Sequence, residues 1–229
     1  MSQHPFGRAG KFFSFVTSAL AVGRGGLAMT LLSVGVAAAP AAAQTFASLP
    51  SSSHTLTEAG TARPVAAWVR FCDRFPGECV VDTGEAELIT LTPEIWKTVV
   101  SVNRKINTDI KPITDKDQWR VVDSWDFPTT GKGDCEDYQL LKRKVLVERG
   151  LPRRALRMTV VIDETGEGHA VLTVRTDRGD FILDNKTSAV LPWHDTGYVY
   201  VKREGHDSLA WVSLGGVTTS PVAVATAPR

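Results

Sequence analysis

One cysteine lies where a reactive thiol would be favoured. The segment Gly133-Asp-Cys-Glu-Asp-Tyr138 begins a predicted helix, and the free amides and dipole at a helix N-terminus stabilise a thiolate. The amide of Cys135 could also hold an oxyanion, and Gly133 would let a substrate backbone approach. The adjacent acids Asp134, Glu136 and Asp137 oppose a thiolate. A buried, inert cysteine is the alternative interpretation.

A nucleophilic cysteine needs a base, and after residue 43 the chain offers His54, His169, His194 and His206. Only His169 begins a predicted strand, whereas the other three lie in loops or near the start of the chain. Asp184 lies near the end of the next predicted strand. Its carboxylate could orient the imidazole of His169, which suggests a Cys–His–Asp set.

The hairpin between these strands tests that pairing. A three-residue loop, Asp177-Arg178-Gly179, would place Leu172 opposite Asp184. His169 and Asp184 would then be three positions out of register, roughly 10 Å apart, which is too far for a hydrogen bond without a bulge, a shifted turn or strong twist. Residue types and spacing therefore permit the pair without establishing it.

Helices precede strands along the chain. Thr92 is a predicted N-cap followed by Pro93, and the helix after it carries an apolar face of Ile95, Val99, Val102 and Ile106. A second helix is predicted from about Asp134 to Arg149, and between the two helices lies a long polar loop with Trp119 and Trp125. Strands are predicted at residues 156–163, 169–176, 180–184 and 198–203, with another at 209–214. This order predicts an α+β domain.

Composition excludes several classes of protein. The chain has 229 residues, of which 43% are hydrophobic, so disorder is not expected. Its 26 Lys and Arg nearly balance 25 Asp and Glu, so no basic face is predicted and nucleic acid is not an expected partner.

The first 43 residues are typical of a cleaved secretory signal. Their only charges are Arg8, Lys11 and Arg24, a short apolar run covers Leu27 to Ala39, and small residues precede Gln44. A membrane anchor is the alternative, but the run is too short to span a bilayer. We predict a signal peptide at 1–43, a flexible lead-in at 44–63, a domain at 64–215 and a loose tail at 216–229. The mature chain would be mildly acidic and periplasmic, without stable membrane insertion.

Cys72 and Cys79 are close enough to form a disulfide in an oxidising compartment. A metal-binding pair is the competing interpretation, but no second Cys/His pair has the spacing of a zinc site. We therefore predict a disulfide.

Three ordered blocks resemble one known family. Gly133-Asp-Cys-Glu-Asp-Tyr138, His169-Ala-Val-Leu-Thr-Val174 and Phe181-Ile-Leu-Asp-Asn185 are similar to the motifs of the bacterial transglutaminase-like cysteine proteinases, which include periplasmic proteases that clip biofilm adhesins. The resemblance runs from about Ala67 to Arg203. It implies a papain-like α+β fold in which the nucleophile begins a helix packed on an antiparallel sheet.

The same resemblance implies the roles of individual residues. Cys135 would be the nucleophile, His169 the base and Asp184 the orienting group, with strand geometry that brings them together. Trp125, slightly preferred over Trp119, would donate an indole N–H to the oxyanion, as a tryptophan does in transglutaminases.

Metal and partner expectations follow from the family as well. Asp134 and Glu136 would be calcium ligands, and no organic cofactor is expected. A protein substrate, for which a surface adhesin is a candidate, and an inner-membrane regulatory receptor would be the partners.

Two alternatives remain at the level of sequence. The acyl group could be transferred to an amine, as in a transglutaminase, because hydrolysis and transfer share the acyl-enzyme. The fold could also be a binding domain that has lost turnover.

Overall fold

The computed structural model describes residues 48–207 and 210–216. The predicted signal peptide and the predicted tail beyond residue 216 lie outside these ranges. Within the described residues, no helix combines the length and apolar character needed to cross a membrane.

The described residues form four α-helices, of which α2 and α3 have side-chain caps at their N-termini. They are α1 (Ala66–Arg74), α2 (Pro93–Asp109), α3 (Asp115–Gln118) and α4 (Cys135–Glu148). The Oγ1 atom of Thr92 accepts a hydrogen bond from the Ile95 amide at 3.3 Å, which confirms the predicted start of α2. Helix α4 begins at Cys135 with Asp134 as its N-cap, so the candidate thiol lies in the first turn, as predicted.

Nine strands lie within residues 48–207 and 210–216. Seven of them form one antiparallel sheet in the order β1-β9-β8-β4-β5-β6-β7, and β2 and β3 form a separate parallel pair. Helices with an antiparallel sheet confirm the α+β prediction. The strands are β1 (Gly60–Ala62), β2 (Lys111–Pro112), β3 (Lys132–Gly133), β4 (Leu156–Ile162), β5 (Gly168–Thr176), β6 (Gly179–Leu183), β7 (Leu191–Pro192), β8 (Val199–Glu204) and β9 (Trp211–Ser213).

Part of the predicted lead-in is packed on the sheet. Strand β1 pairs with β9, and the amide of buried Leu56 donates to Asp180 Oδ2 at 3.0 Å. A three-residue edge strand is too short to show a periodic pattern. Its partners also lie far away in the sequence, so the composition of 44–63 suggested a flexible segment, whereas Leu56 and the strand β1 are packed on the sheet.

The two faces of the sheet have different surroundings. Leu172 and Leu183 belong to the large core that includes residues of α2 and α4, whereas Val171 and Ile182 belong to a second, smaller cluster with Tyr200. Adjacent strand residues point to opposite faces. A side chain's register position in β5 or β6 therefore decides which environment it enters.

A buried ion pair fixes α4 against the sheet. Arg143 of α4 contacts Glu204 of β8 at 2.7 Å, and Trp68 of α1 donates its indole N–H to the same carboxylate at 2.6 Å. The amide of Met158 also donates to Glu204. Removal of one partner from such a buried pair typically costs about 3–5 kcal/mol, so this contact sets the position of the helix that carries Cys135.

The predicted disulfide is confirmed. Cys72 in α1 is bonded to Cys79, and Cys135 is the free cysteine among the described residues. Cys135 is therefore available for chemistry.

Candidate active site

The β5–β6 hairpin differs from its predicted register by one residue. Thr176 pairs with Gly179 and Leu172 with Leu183, so the turn has two residues, Asp177 and Arg178. The three-residue loop was wrong because the Thr176 hydroxyl accepts from the Arg178 amide at 3.0 Å and donates to the Gly179 carbonyl at 2.7 Å, which closes the tighter turn.

This one-residue difference moves Asp184 to the other face of the sheet. Asp184 follows the last residue of β6, and the observed register places it opposite Val171 instead of Leu172. His169, two residues before Val171, projects on that same face as a diagonal neighbour. Strand alternation therefore brings the imidazole and the carboxylate together.

His169 and Asp184 form a buried pair. The distance from His169 Nε2 to Asp184 Oδ1 is 2.9 Å. Burial lowers the pKa of His169, but hydrogen bonds to Asp184 and Cys135, together with their charges, outweigh it and raise the pKa to about 9. Because His169 Nε2 contacts Asp184, Nδ1 is the ring nitrogen that can interact with the sulfur of Cys135.

The Cys135 side chain is fully buried beside this pair. Its Sγ accepts a hydrogen bond from the Ala170 amide at 3.4 Å and lies 3.1 Å from Glu136 Oε2. Sulfur, imidazole and carboxylate thus follow one another across α4, β5 and the end of β6. These are the three side chains that the sequence blocks indicate, brought into one cluster.

A tyrosine that the sequence analysis missed completes the chain of contacts. The Tyr198 hydroxyl donates to Asp184 Oδ2 at 2.6 Å, and its ring meets the His169 ring edge-on with centroids 5.7 Å apart. Burial raises the pKa of Asp184, but the hydrogen bond and charge of His169, the Lys186 amide and Tyr198 lower it to about 2. No spacing rule links Tyr198 to Asp184, because the contact depends on how the loop before β8 folds.

Two asparagines of α2 hold the backbone around Asp184. Asn107 Nδ2 donates to the Asp184 carbonyl at 2.8 Å and to the Thr187 carbonyl at 2.9 Å, and Asn103 Nδ2 donates to the same Thr187 oxygen at 3.2 Å. The two asparagines are four residues apart, which puts them on one helix face. In the sequence, the only sign of this role was the presence of two asparagine side chains beside the apolar face of α2.

The Tyr198 contact gives a testable prediction. Tyr198→Phe removes one hydrogen bond to an ionised group, worth roughly 1.5–3 kcal/mol, so the Asp184 pKa should rise by about one to two units. The acidic limb of the kcat/KM profile should move to higher pH, as measured with a peptide substrate between about pH 2 and pH 8.

The matched control is Tyr200→Phe, whose hydroxyl contacts Thr196 at 3.0 Å and the Trp193 carbonyl at 3.1 Å instead of Asp184. An equal loss of activity at every pH in Tyr198→Phe would contradict the positioning role.

A cluster of five acids lies next to the thiol. Asp115 shares one compact group with Asp134 and Asp137 and another with Asp123 and Glu136, each with ligand oxygens within 4.8 Å of one another. Burial and mutual repulsion raise the pKa of Asp134 to about 7 and that of Asp137 to about 9, and they raise that of Glu136 well above its ordinary value. Without a cation, burial therefore favours the protonated, neutral forms of these acids.

The donor set of this cluster fits a hard cation. Asp134 Oδ1 and Glu136 Oε1 are buried and have no hydrogen-bond partner among the described residues. These are the two acids that the resemblance implies as calcium ligands. Asp115 and Asp123 were missed by sequence reasoning, because Asp115 begins α3 and Asp123 follows that helix within a segment predicted as a loop, and neither has a recognisable spacing. Calcium prefers such all-oxygen sites.

The structure gives Gly133 another role than the predicted one. A Cβ at Gly133 would lie 2.5 Å from Asp137 Oδ2. The space expected to admit a substrate backbone is therefore taken by the Asp137 side chain, and glycine is required there so that the acid can fold back over the start of α4.

The two tryptophans considered as oxyanion donors differ in burial. Trp125 is buried and its Nε1 has no hydrogen-bond partner among the described residues, whereas Trp119 is 51% exposed. The ring of Trp125 packs against Trp211. Its role as an oxyanion donor stays a prediction, as do the roles of the three clustered side chains.

The other histidines have partners elsewhere. His54 stacks on His194 with centroids 4.7 Å apart, and His206 lies 3.3 Å from Asp207. His169 is thus the histidine that the structure brings to Cys135.

Comparison with known proteins identifies the family of this chain. A family model described as bacterial transglutaminase-like cysteine proteinase matches residues 57–219. No curated protein matches this chain significantly. A solved structure of Legionella pneumophila LapG is 27% identical over 52% of this chain and 68% of its own, with a TM-score of 0.45. The calcium-bound form of LapG is 20% identical over 67% of this chain and 91% of its own, with a TM-score of 0.44. Since the family model covers most of the chain, this protein belongs to the bacterial transglutaminase-like cysteine proteinase family and is a cysteine peptidase acting on protein.

Proposed function

We propose that Cys135, His169 and Asp184 form the catalytic triad of this peptidase and cleave a protein through an acyl-enzyme. The observation that carries the proposal is the buried sequence of contacts in which His169 interacts with the thiol of Cys135 and lies 2.9 Å from Asp184. In a low-dielectric site these charges interact more strongly than in water. The arrangement matches what thiol acyl transfer requires.

The first step is transfer of the thiol proton to His169. With its pKa raised to about 9, the imidazole keeps a proton at neutral pH. Asp184, whose pKa is lowered to about 2, stays ionised and fixes the ring. The Cys135 sulfur then attacks the scissile carbonyl carbon.

The carbonyl oxygen gains negative charge as the sulfur adds. The Cys135 amide, in the first turn of α4, is one candidate donor to this oxygen. The indole N–H of Trp125, buried and without another partner among the described residues, is the second. When the intermediate collapses, the C–N bond breaks and His169 gives its proton to the departing amine.

Hydrolysis of the thioester completes the cycle. Water loses a proton to neutral His169 as it attacks the acyl carbon, and the C–S bond breaks to release the carboxylic acid product. The sulfur leaves as a thiolate beside protonated His169, which restores the starting state.

We propose that the acid cluster binds calcium through Asp134 and Glu136, with Asp115, Asp123 and Asp137 as further candidate ligands. The bound cation would supply positive charge that offsets the repulsion among these acids. Glu136 Oε2 lies 3.1 Å from the sulfur, so a Glu136 carboxylate engaged elsewhere would compete less with His169 for the thiol proton.

Location and substrate are proposals from the N-terminal sequence and the family. Residues 1–43 would direct export to the periplasm, and the Cys72–Cys79 disulfide is compatible with an oxidising compartment. A surface adhesin would be the substrate, and an inner-membrane receptor would regulate its cleavage.

Hydrolysis and amine transfer can be separated in one experiment. Cell-surface proteins are incubated with the enzyme, calcium and a fluorescent primary amine, and both new amino termini and fluorescent protein are quantified. We expect new termini with the wild type, none with Cys135→Ala, and no fluorescent protein. Fluorescent protein without new termini would instead establish the transglutaminase alternative.

A further inference from the structure

A cavity lies at the far end of the triad from the sulfur. Its volume is about 290 Å³, and Asp184 and Tyr198 form part of its wall, whereas neither Cys135 nor His169 does. The cavity therefore begins beyond the carboxylate that orients His169. Its size is near the lower end of ordinary ligand pockets, enough for one or two side chains.

The direction of the reaction relates this cavity to the substrate. The departing amine takes its proton from His169, so the substrate residues after the scissile bond leave on the imidazole side of the sulfur. One ring and one 2.9 Å contact separate the sulfur side of His169 from Asp184. An extended chain advances roughly 3.3 Å per residue, so the second or third residue after the scissile bond reaches the cavity.

The lining of the cavity selects an apolar side chain. Ile182, Ala189 and Leu191 supply aliphatic walls. Two hydroxyls there are already donated, since Tyr198 donates to Asp184 at 2.6 Å and Thr196 donates to the Trp193 carbonyl at 2.8 Å, and the Thr187 hydroxyl oxygen accepts from the Ala189 amide at 3.1 Å. A polar substrate side chain would lose its water contacts and meet few unpaired groups in the lining.

The charged groups of the lining do not change this selection. Lys186 is neutralised by Asp163 at 2.5 Å, and the side chain of Glu164 is 60% exposed. The interior contact surface offered to a ligand is therefore mainly aliphatic and aromatic.

We infer that this cavity is the subsite for an aliphatic side chain two or three residues after the scissile bond. The inference rests on the proposed triad, because the position of the leaving amine defines the direction. The same Tyr198 that holds Asp184 then forms a wall of the subsite, so substrate binding and orientation of the triad share one residue.

Peptides from a trypsin-digested bacterial proteome, incubated with the enzyme and calcium, test the inference by mass spectrometry of the cleavage sites. Wild-type sites should be enriched in Val, Leu, Ile or Met at the second or third residue after the cleaved bond. Ala189→Phe, which fills the cavity, should lower the ratio of Leu to Ala there by at least about tenfold. Leu191→Ala, which enlarges it, should extend cleavage to Phe and Trp.

The matched control is Ser188→Phe, which adds the same ring at an exposed neighbour outside the cavity and should keep the wild-type pattern. If Ala189→Phe fails to fold, as judged by its melting temperature, the gain of specificity in Leu191→Ala decides. Unchanged patterns in the folded cavity variants would overturn the subsite alone. A wild type that cleaves none of the peptides would overturn the proposed function and the subsite with it.

Discussion

Replacement of Cys135 by alanine is expected to abolish proteolysis, with kcat/KM falling by at least about 10,000-fold. His169→Ala should lose a similar amount. Without this base the thiol does not ionise in place, and the leaving amine receives no proton from the imidazole. The double variant should be no worse than either single variant, since the two groups act as a unit. Initial rates of peptide cleavage measure all three.

His194→Ala is the control for the histidine. That residue is exposed and stacks on His54 instead of approaching the sulfur, so its variant should cleave at the wild-type rate. Substantial activity in Cys135→Ala would exclude the thiol as the nucleophile. Equal losses of kcat/KM in His194→Ala and His169→Ala would mean that His169→Ala is impaired through folding and not through the triad.

Calcium is expected to stabilise the protein strongly. A ligand that binds only the folded state at a hundredfold excess over its Kd contributes about 2.7 kcal/mol, which corresponds to a rise in Tm of roughly 5–10 °C for a domain of this size. Calorimetry with calcium and with EDTA measures the difference. The physical reason is that the cation offsets repulsion among buried acids that the folded chain holds together.

An isosteric variant separates this mechanism from nonspecific stabilisation. Asp134→Asn removes one buried charge but keeps an oxygen to accept from the Asp115 amide, so it should raise Tm in EDTA and lose most of the calcium-induced rise. Asp117→Asn changes an exposed acid in α3 outside the cluster, and it should behave like the wild type. A full calcium response in Asp134→Asn would contradict the assignment of Asp134 as a ligand.

The stabilisation by calcium should depend on pH. Asp134 and Asp137 have folded pKa values raised to about 7 and about 9, above the ordinary value near 4 of an unfolded chain. Through these two groups the folded state without metal binds more protons than the unfolded state, so their contribution to stability falls as pH rises from about 4 through 9. Calcium requires deprotonated ligands, so its stabilisation should be larger at pH 8 than at pH 6.

Local sequence patterns were sufficient for α2, α4 and the longer strands and for the naming of the candidate residues. The Thr92–Pro93 start of α2 was predictable because capping residues act within a few positions. The start of α4 at Cys135 agrees with the predicted boundary near Asp134, although Asp134 makes no side-chain capping hydrogen bond. The short Cys72–Cys79 spacing likewise indicated the disulfide. Three motif blocks indicated Cys135, His169 and Asp184, although not their mutual distances.

Contacts between distant segments were not predictable in this way. The strand β1, the anchoring of the Asp184 loop by Asn103 and Asn107, and the addition of Asp115 and Asp123 to the acid cluster all join parts of the chain that are separated in sequence. No local rule specifies such pairs, since each depends on how several elements pack at once.

The amino-acid sequence by itself determined which side chains could do chemistry and that the chain belongs to an α+β class, because residue type, capping and periodicity are local properties. Only the tertiary structure decided that the imidazole and the carboxylate meet. A single residue of register in the β5–β6 turn, closed by the Thr176 hydroxyl, selects the sheet face on which Asp184 lies. The side-chain period of a strand is two residues, so that one step is the difference between a pair roughly 10 Å apart on opposite faces and the observed contact of 2.9 Å.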